Sequence, residues 1–126
     1  MREVSKGRMR RYMVLRLCFR CDRDFDELVR ETGLREIEMV NTIQYLRRNR
    51  LLEKETNERG VIVYSLTARG EERLAHYEFN FACYQKWKPK WCEGENNNWD
   101  DEYCREMSEL IRRLDYFGYE NVVNAG

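Results

Sequence analysis

A chain of 126 residues is the size of one ordinary domain, and its 42% of hydrophobic residues suffice for one core. Charged residues reach 37%, well above the usual quarter or so; the surplus is expected on the surface, in ion-pair networks of the kind common in thermophiles. The 23 basic residues balance the 23 acidic ones, which taken alone argues weakly against a generic nucleic-acid binder. No apolar run approaches the about 20 residues of a membrane span. The opening MREVSKGRMRR lacks a signal-peptide core, so a soluble, cytoplasmic protein is expected.

The charge is unevenly placed. Residues 1–20 hold seven Lys/Arg and one Glu, a net of +6, while residues 91–126 hold three Arg and nine Asp/Glu, a net of −6. One end is suited to an acidic partner and the other would stay away from it; two differently decorated solvated ends is the plainer explanation.

In chain order, residues 1–7 read as a loose basic arm. MRRYMVLRLCFR (9–20) sets Met9, Tyr12, Met13 and Leu17 at helical spacing. CDRD (21–24) is a break, in which Asp24 is placed to cap the next helix with Glu27 three residues on. FDELVRET (25–32) is a short helix burying Phe25, Leu28 and Val29, stopped by Gly33. A third helix over 36–49 carries Met39, Ile43 and Leu46 on one side and Glu38, Asn41, Thr42 and Tyr45 on the other. LLEKE (51–55) and VIVYSLT (61–67) are strand-like, joined by a turn with Gly60 available for positive φ. Thr67 caps a long aromatic helix from 68 to about 87, which Pro89 breaks. After the loop KWCEGENNN, Asp100 or Asp101 caps a last helix to about Phe117, with Tyr103, Met107, Leu110, Ile111 and Leu114.

The order helix, helix, helix, hairpin, helix, helix predicts a mainly α fold with a small β-hairpin. FDELVRETGL, MVNTIQYLRRNRLLEKE and GVIVYSLTARGEERL stand in order and at the right spacing. With them the chain, over about residues 9–75, resembles the MarR/PadR-like winged helix-turn-helix regulators. Small size, high charge and the cysteine count resemble, more distantly, the small winged-helix proteins of hyperthermophilic archaeal viruses; on that resemblance the location would be the host cytoplasm. The resemblance implies a winged helix-turn-helix over 1–75 with a C-terminal helical extension over 76–126, the whole forming one compact domain. One departure stands out: the family usually has Gly between the third helix and the first wing strand. Here Asn49 and Arg50 occupy that corner, and Asn tolerates the left-handed conformation.

The resemblance makes the hairpin a wing and double-stranded DNA the partner. The third helix would enter the major groove, where base edges carry a distinct donor and acceptor pattern. Asn41 is suited to adenine, Thr42 to phosphate or a thymine methyl, and Tyr45 to stacking or phosphate. Arg35 stands at the helix entrance, where free N–H groups also favour phosphate. Arg48, Lys54 and Arg59 would grip phosphates and position the protein without reading sequence. Against each stands a plainer role: Asn41 and Thr42 as solvated residues, Tyr45 as a lid on the core edge, Arg59 as an ordinary turn polar residue. Glu36 and Glu38 count against DNA, because carboxylates repel phosphate.

AHYEFNFACYQKWKPKWC (75–92) is unusually aromatic. The last two helices are the dimerisation elements the resemblance implies, and two third helices roughly 34 Å apart would match one turn of duplex; packing against the first helix is the alternative. His76 is read as a satisfied or exposed helix residue. Of five cysteines, CFRC (18–21) has half of a zinc-site spacing and the C-x8-C pair Cys83 and Cys92 is the candidate other half, but that spacing is loose and no Cys/His-rich knuckle surrounds it. A Cys83–Cys92 disulfide is the more plausible pairing. No metal site, cofactor or active-site constellation is predicted. The leading expectation is therefore a sequence-specific, homodimeric DNA-binding transcription regulator rather than an enzyme. Its rival is a winged helix used for protein contact, or a small virion or assembly module.

Overall fold

The computed structural model describes residues 5–80, 87 and 98–114. They form helices α1 (Lys6–Arg20), α2 (Phe25–Thr32), α3 (Glu36–Arg48), α4 (Ala68–Asn80) and α5 (Asn98–Leu114), and strands β1 (Arg23–Asp24), β2 (Leu52–Thr56) and β3 (Ile62–Leu66). The hairpin was expected; β1 was not. Two residues are too short to carry an alternation signal, yet Arg23 and Asp24 pair antiparallel with Tyr64 and Val63 and put β3 at the centre of the order β1-β3-β2.

Helix α1 is the axis of the core. Residues 12–18 are buried all round the helix, as befits a helix covered on every side. Met39, Ile43 and Leu46 of α3 share one cluster with Leu28, Leu51, Leu52, Leu74, Tyr103, Met107 and Leu110. Helix α1 begins earlier than its apolar pattern suggests, because Ser5 caps it by accepting from the Arg8 N–H at 3.2 Å. Helix α2 starts and stops as its sequence dictates: Asp24 accepts from the Glu27 N–H at 2.8 Å, and Gly33 closes the end at φ 74°. Helix α5 starts at Asn98, so Asp100 and Asp101 lie within it rather than capping it. The stretch 81–86, where α4 was expected to continue, lies outside the described residues, as do Cys83, Cys92 and the end of the last helix at Phe117.

The corner between α3 and the wing is built differently from the expectation. The left-handed residue is Arg50, at φ 61°, whereas Asn49 sits at φ −90°. Asn49 instead turns its side-chain amide back to donate to the Tyr45 carbonyl at 2.8 Å. Thr67 then clamps the corner: its hydroxyl donates to the Arg50 carbonyl at 2.7 Å and accepts from the Gly70 N–H at 2.9 Å. A Cβ on Gly70 would lie 2.2 Å from the Leu51 carbonyl oxygen, so only glycine lets α4 approach this closely. This contact explains the Leu-Thr-x-x-Gly run at 66–70 and fixes where the wing leaves the body.

A polar knot sits inside the helical layer. Arg16 and Glu78 are buried, at 4% and 5% exposure. Tyr12 donates its hydroxyl to Glu78 and accepts from the Arg16 guanidinium at 2.9 Å, while Tyr103 donates to the same carboxylate at 2.9 Å. The guanidinium also donates to the Trp87 carbonyl and lies 4.2 Å from the Tyr103 ring centroid. Burial, reinforced by the Glu78 carboxylate, pushes the Tyr12 and Tyr103 phenols well up, so both stay protonated as donors.

Candidate nucleic-acid interface

Helix α3 turns one complete stripe outward. Ile37, Val40, Asn41, Gln44, Arg47 and Arg48 are all exposed, at spacings that return to one face every three or four residues. The stripe lies opposite Met39, Ile43 and Leu46. Ile37 is 59% exposed and Val40 38%, unusual for aliphatic side chains on a helix whose core face is already filled.

Two of the expected contact residues face elsewhere. Thr42 is buried, and its hydroxyl donates to the Glu38 carbonyl at 2.7 Å. Tyr45 is half-buried beneath the Arg11 guanidinium, 4.4 Å from its ring centroid. At about 100° per residue, positions 38, 42 and 45 fall on a flank between core and solvent, and here that flank meets α1. Glu38 belongs to it too. Its carboxylate pairs with Arg10 of α1 and, at 3.2 Å, with the Arg35 side chain, and accepts from the Arg35 backbone N–H at 3.0 Å. That N–H, followed by the Arg35 and Arg10 charges, holds the carboxyl below its usual range. Arg35 has no acceptor to offer in return, so α3 keeps only this half of a capping box. The carboxylate counted against DNA is thus already engaged; Glu36 remains exposed.

Arg35, at the N-cap of α3, has a side chain 77% exposed. Asn41 and Arg48 lie on the outward stripe, Lys54 is exposed on β2, and Arg59 is exposed at the wing tip. The tip is organised by Asn57, whose side-chain oxygen accepts from the Arg59 N–H at 2.9 Å and the Val61 N–H at 3.0 Å, with Gly60 at φ 78°. Glu53, Glu55 and Glu58 are exposed along the same hairpin. Sequence reasoning missed Ile37, Val40, Gln44 and Arg47. The signal was present: positions 37, 41, 44 and 48 repeat at i, i+4, i+7 and i+11, a second stripe that becomes visible once the apolar one is taken as the core face.

Of the side chains offered for dimerisation, several among the described residues pack within the chain. Leu74, Tyr77, Tyr103, Met107 and Leu110 are buried in its own core, while Phe79 stands 48% exposed on α4. The two halves of CFRC are separated in the same way, with Cys18 buried and Cys21 exposed. Among the described residues no three His, Cys, Asp or Glu gather as a metal site, and no helix is long and apolar enough to cross a membrane.

Three helices, a three-stranded sheet ending in a projecting hairpin, and two further helices make this fold a winged helix-turn-helix. Solved structures of Lactococcus lactis ZitR share it. A cysteine-to-serine variant matches at TM-score 0.51 and 13% identity, over 90% of this chain and 80% of that one. A glutamate-to-alanine variant matches at 0.50 and 13%, over 89% and 76%. A cysteine and histidine double variant matches at 0.50 and 13%, over 90% and 77%. At such identity the likeness is one of fold, and it reaches neither the PadR side of the resemblance nor a viral or thermophilic source. No family model and no curated protein matches the chain.

Proposed function

We propose that this protein is a DNA-binding transcription regulator that reads double-stranded DNA with the outward stripe of α3 and steadies itself with the β2–β3 wing. The carrying observation is that stripe: a helix whose inner face is fully used offers amides, guanidinium groups and aliphatic side chains together on its outer face. The winged-helix fold, shared with ZitR, supports the same reading. In it, Asn41 contacts a base edge, and Arg35, Arg48, Lys54 and Arg59 hold phosphates. Thr42 and Tyr45 act indirectly, by seating α3 against its neighbours. The protein acts as a homodimer through its C-terminal helices.

Fluorescence anisotropy on a random duplex at two salt concentrations tests the reading. Arg59→Ala should weaken all duplexes alike and lower the slope of log K against log salt by about one. Asn41→Ala should lose about 1–3 kcal/mol on a preferred site only and leave the slope unchanged. Sedimentation of the wild type should give a species of twice the single-chain mass, and a single-chain mass overturns the dimer. The rival reading, a protein-docking module, draws on the exposed Ile37, Val61 and Ile62 and on the carboxylates of the wing. It takes over if both DNA variants behave as wild type at every salt.

A further inference from the structure

The aliphatic part of the α3 stripe has a chemistry that phosphate binding does not use. Ile37 and Val40 are one turn apart on the outward face and are 59% and 38% exposed. Asn41 follows directly and Gln44 stands one turn further on, both exposed. The mixture is selective. In the major groove, adenine offers an acceptor and a donor that a side-chain amide meets with two hydrogen bonds, and its partner thymine offers a 5-methyl group, the one apolar feature on any base edge. A G·C pair has no methyl for Ile37 or Val40 to cover, and would leave both pressed against polar edges.

We infer that the outward stripe of α3 selects A·T base pairs in duplex DNA, Ile37 and Val40 covering thymine methyl groups while Asn41 and Gln44 engage the adenines. The inference rests on the DNA-binding reading above and adds the class of sequence that this face takes. Two further placements agree with it. Glu38 is turned away toward Arg10 and Arg35 and so does not offer its carboxylate to a cytosine; Glu36, exposed in the first turn of α3, borders the stripe at its N-terminal end. Arg47 and Arg48 lie at the C-terminal end of the stripe, where they reach phosphates beyond the contacted pairs.

Replacing thymine by uracil removes the methyl and leaves base pairing, phosphate charge and every minor-groove group in place. The probes are three 20-base-pair duplexes at one ionic strength: alternating dA·dT, the same with deoxyuridine for thymidine, and alternating dG·dC. Wild type should bind the dA·dT duplex most tightly and the deoxyuridine duplex about fourfold more weakly per methyl covered, the transfer value of one buried methyl-sized group. Ile37→Ala/Val40→Ala alters only exposed side chains, and its fold is checked by circular dichroism. This variant should bind the dA·dT and deoxyuridine duplexes equally. Equal binding of those two duplexes by wild type overturns the inference and leaves the DNA reading standing, because groove shape or phosphate then accounts for the affinity. Absence of binding to all three overturns both.

Discussion

Replacing Glu78 by Gln keeps the side chain's size and one accepting oxygen but removes its charge. Both tyrosine hydroxyls retain an acceptor, so the hydrogen-bond loss is small. The damage falls on Arg16, 4% exposed, whose guanidinium stays charged and loses the Glu78 carboxylate beside it. Breaking a buried pair on one side costs about 3–5 kcal/mol, against a total stability of about 5–15 kcal/mol for a typical domain. Urea denaturation at pH 7, followed by tryptophan fluorescence because Trp87 lies against the knot, should show a loss of that size; the thermal midpoint should fall by about 10–20 °C. The double variant Arg16→Met/Glu78→Gln removes both charges and should be more stable than Glu78→Gln alone. A Glu78→Gln protein within about 0.5 kcal/mol of wild type, or a double variant less stable than the single one, would refute the view that the two buried charges offset each other.

Three further outcomes are expected. Gly70→Ala drives a methyl to 2.2 Å from the Leu51 carbonyl oxygen and should cost about 3 kcal/mol or more, read by urea midpoint; a neutral result would mean α4 does not rest on that corner. Arg50→Gly relieves a left-handed residue and should stabilise by about 0.5–1 kcal/mol, after the entropy a glycine adds to the unfolded chain; a loss of stability would place the strain elsewhere. Burial pushes the Cys18 thiol well up. A raised pKa in the folded state means stability is full below the unfolded thiol's value of about 8.5 and is lost as pH rises above it, by up to about 1.4 kcal/mol per pH unit. The stability gap between wild type and Cys18→Ala should therefore narrow between pH 8.5 and 10, and a constant gap would contradict it.

Much of the fold was legible because its signals are local. Asp24 with Glu27, Gly33, the Asn57–Gly60 tip and Thr67 each stabilise a boundary through bonds to neighbours a few residues away, so the sequence carries them directly. Strand β1 was not legible, because two residues become a strand only through pairing with Tyr64 and Val63, forty residues on. The corner shows the same contrast. Asn49 was the reasonable candidate for positive φ by propensity, but its amide is drawn to the Tyr45 carbonyl and the left-handed turn passes to Arg50. On α3 the apolar stripe was read correctly and the opposite stripe was not. Position 42 is polar by composition yet buried, because its hydroxyl finds the Glu38 carbonyl within the helix; position 37 is apolar yet exposed. A polarity rule applied residue by residue misplaces both.

The zero net charge loses its force once the charges are located. Glu78 offsets Arg16 in the core, Glu38 is held by Arg10 and Arg35, Glu27 pairs with Arg23 at 3.4 Å, and Arg20 draws Glu102 and Glu106 from α5. These acidic groups act as internal partners, and they sit on the flanks and joints of the helices. Among the described residues, by contrast, Arg47, Arg48, Arg50, Lys54 and Arg59 have no carboxylate within 4 Å, and all five are exposed on α3, the corner or the wing. Exposed Glu36, Glu53, Glu55 and Glu58 temper the field around them. Among the described residues of α3, the corner and the wing, the surface is therefore one of discrete cations set at the ends of a stripe and the tip of a hairpin, not a basic sheet. Such a surface binds any polyanion weakly and rewards a partner whose phosphates fall at those particular points. For a helix that also displays Ile37 and Val40, weak general attraction has a second effect: the energy that separates one partner from another must come from the groups between the cations.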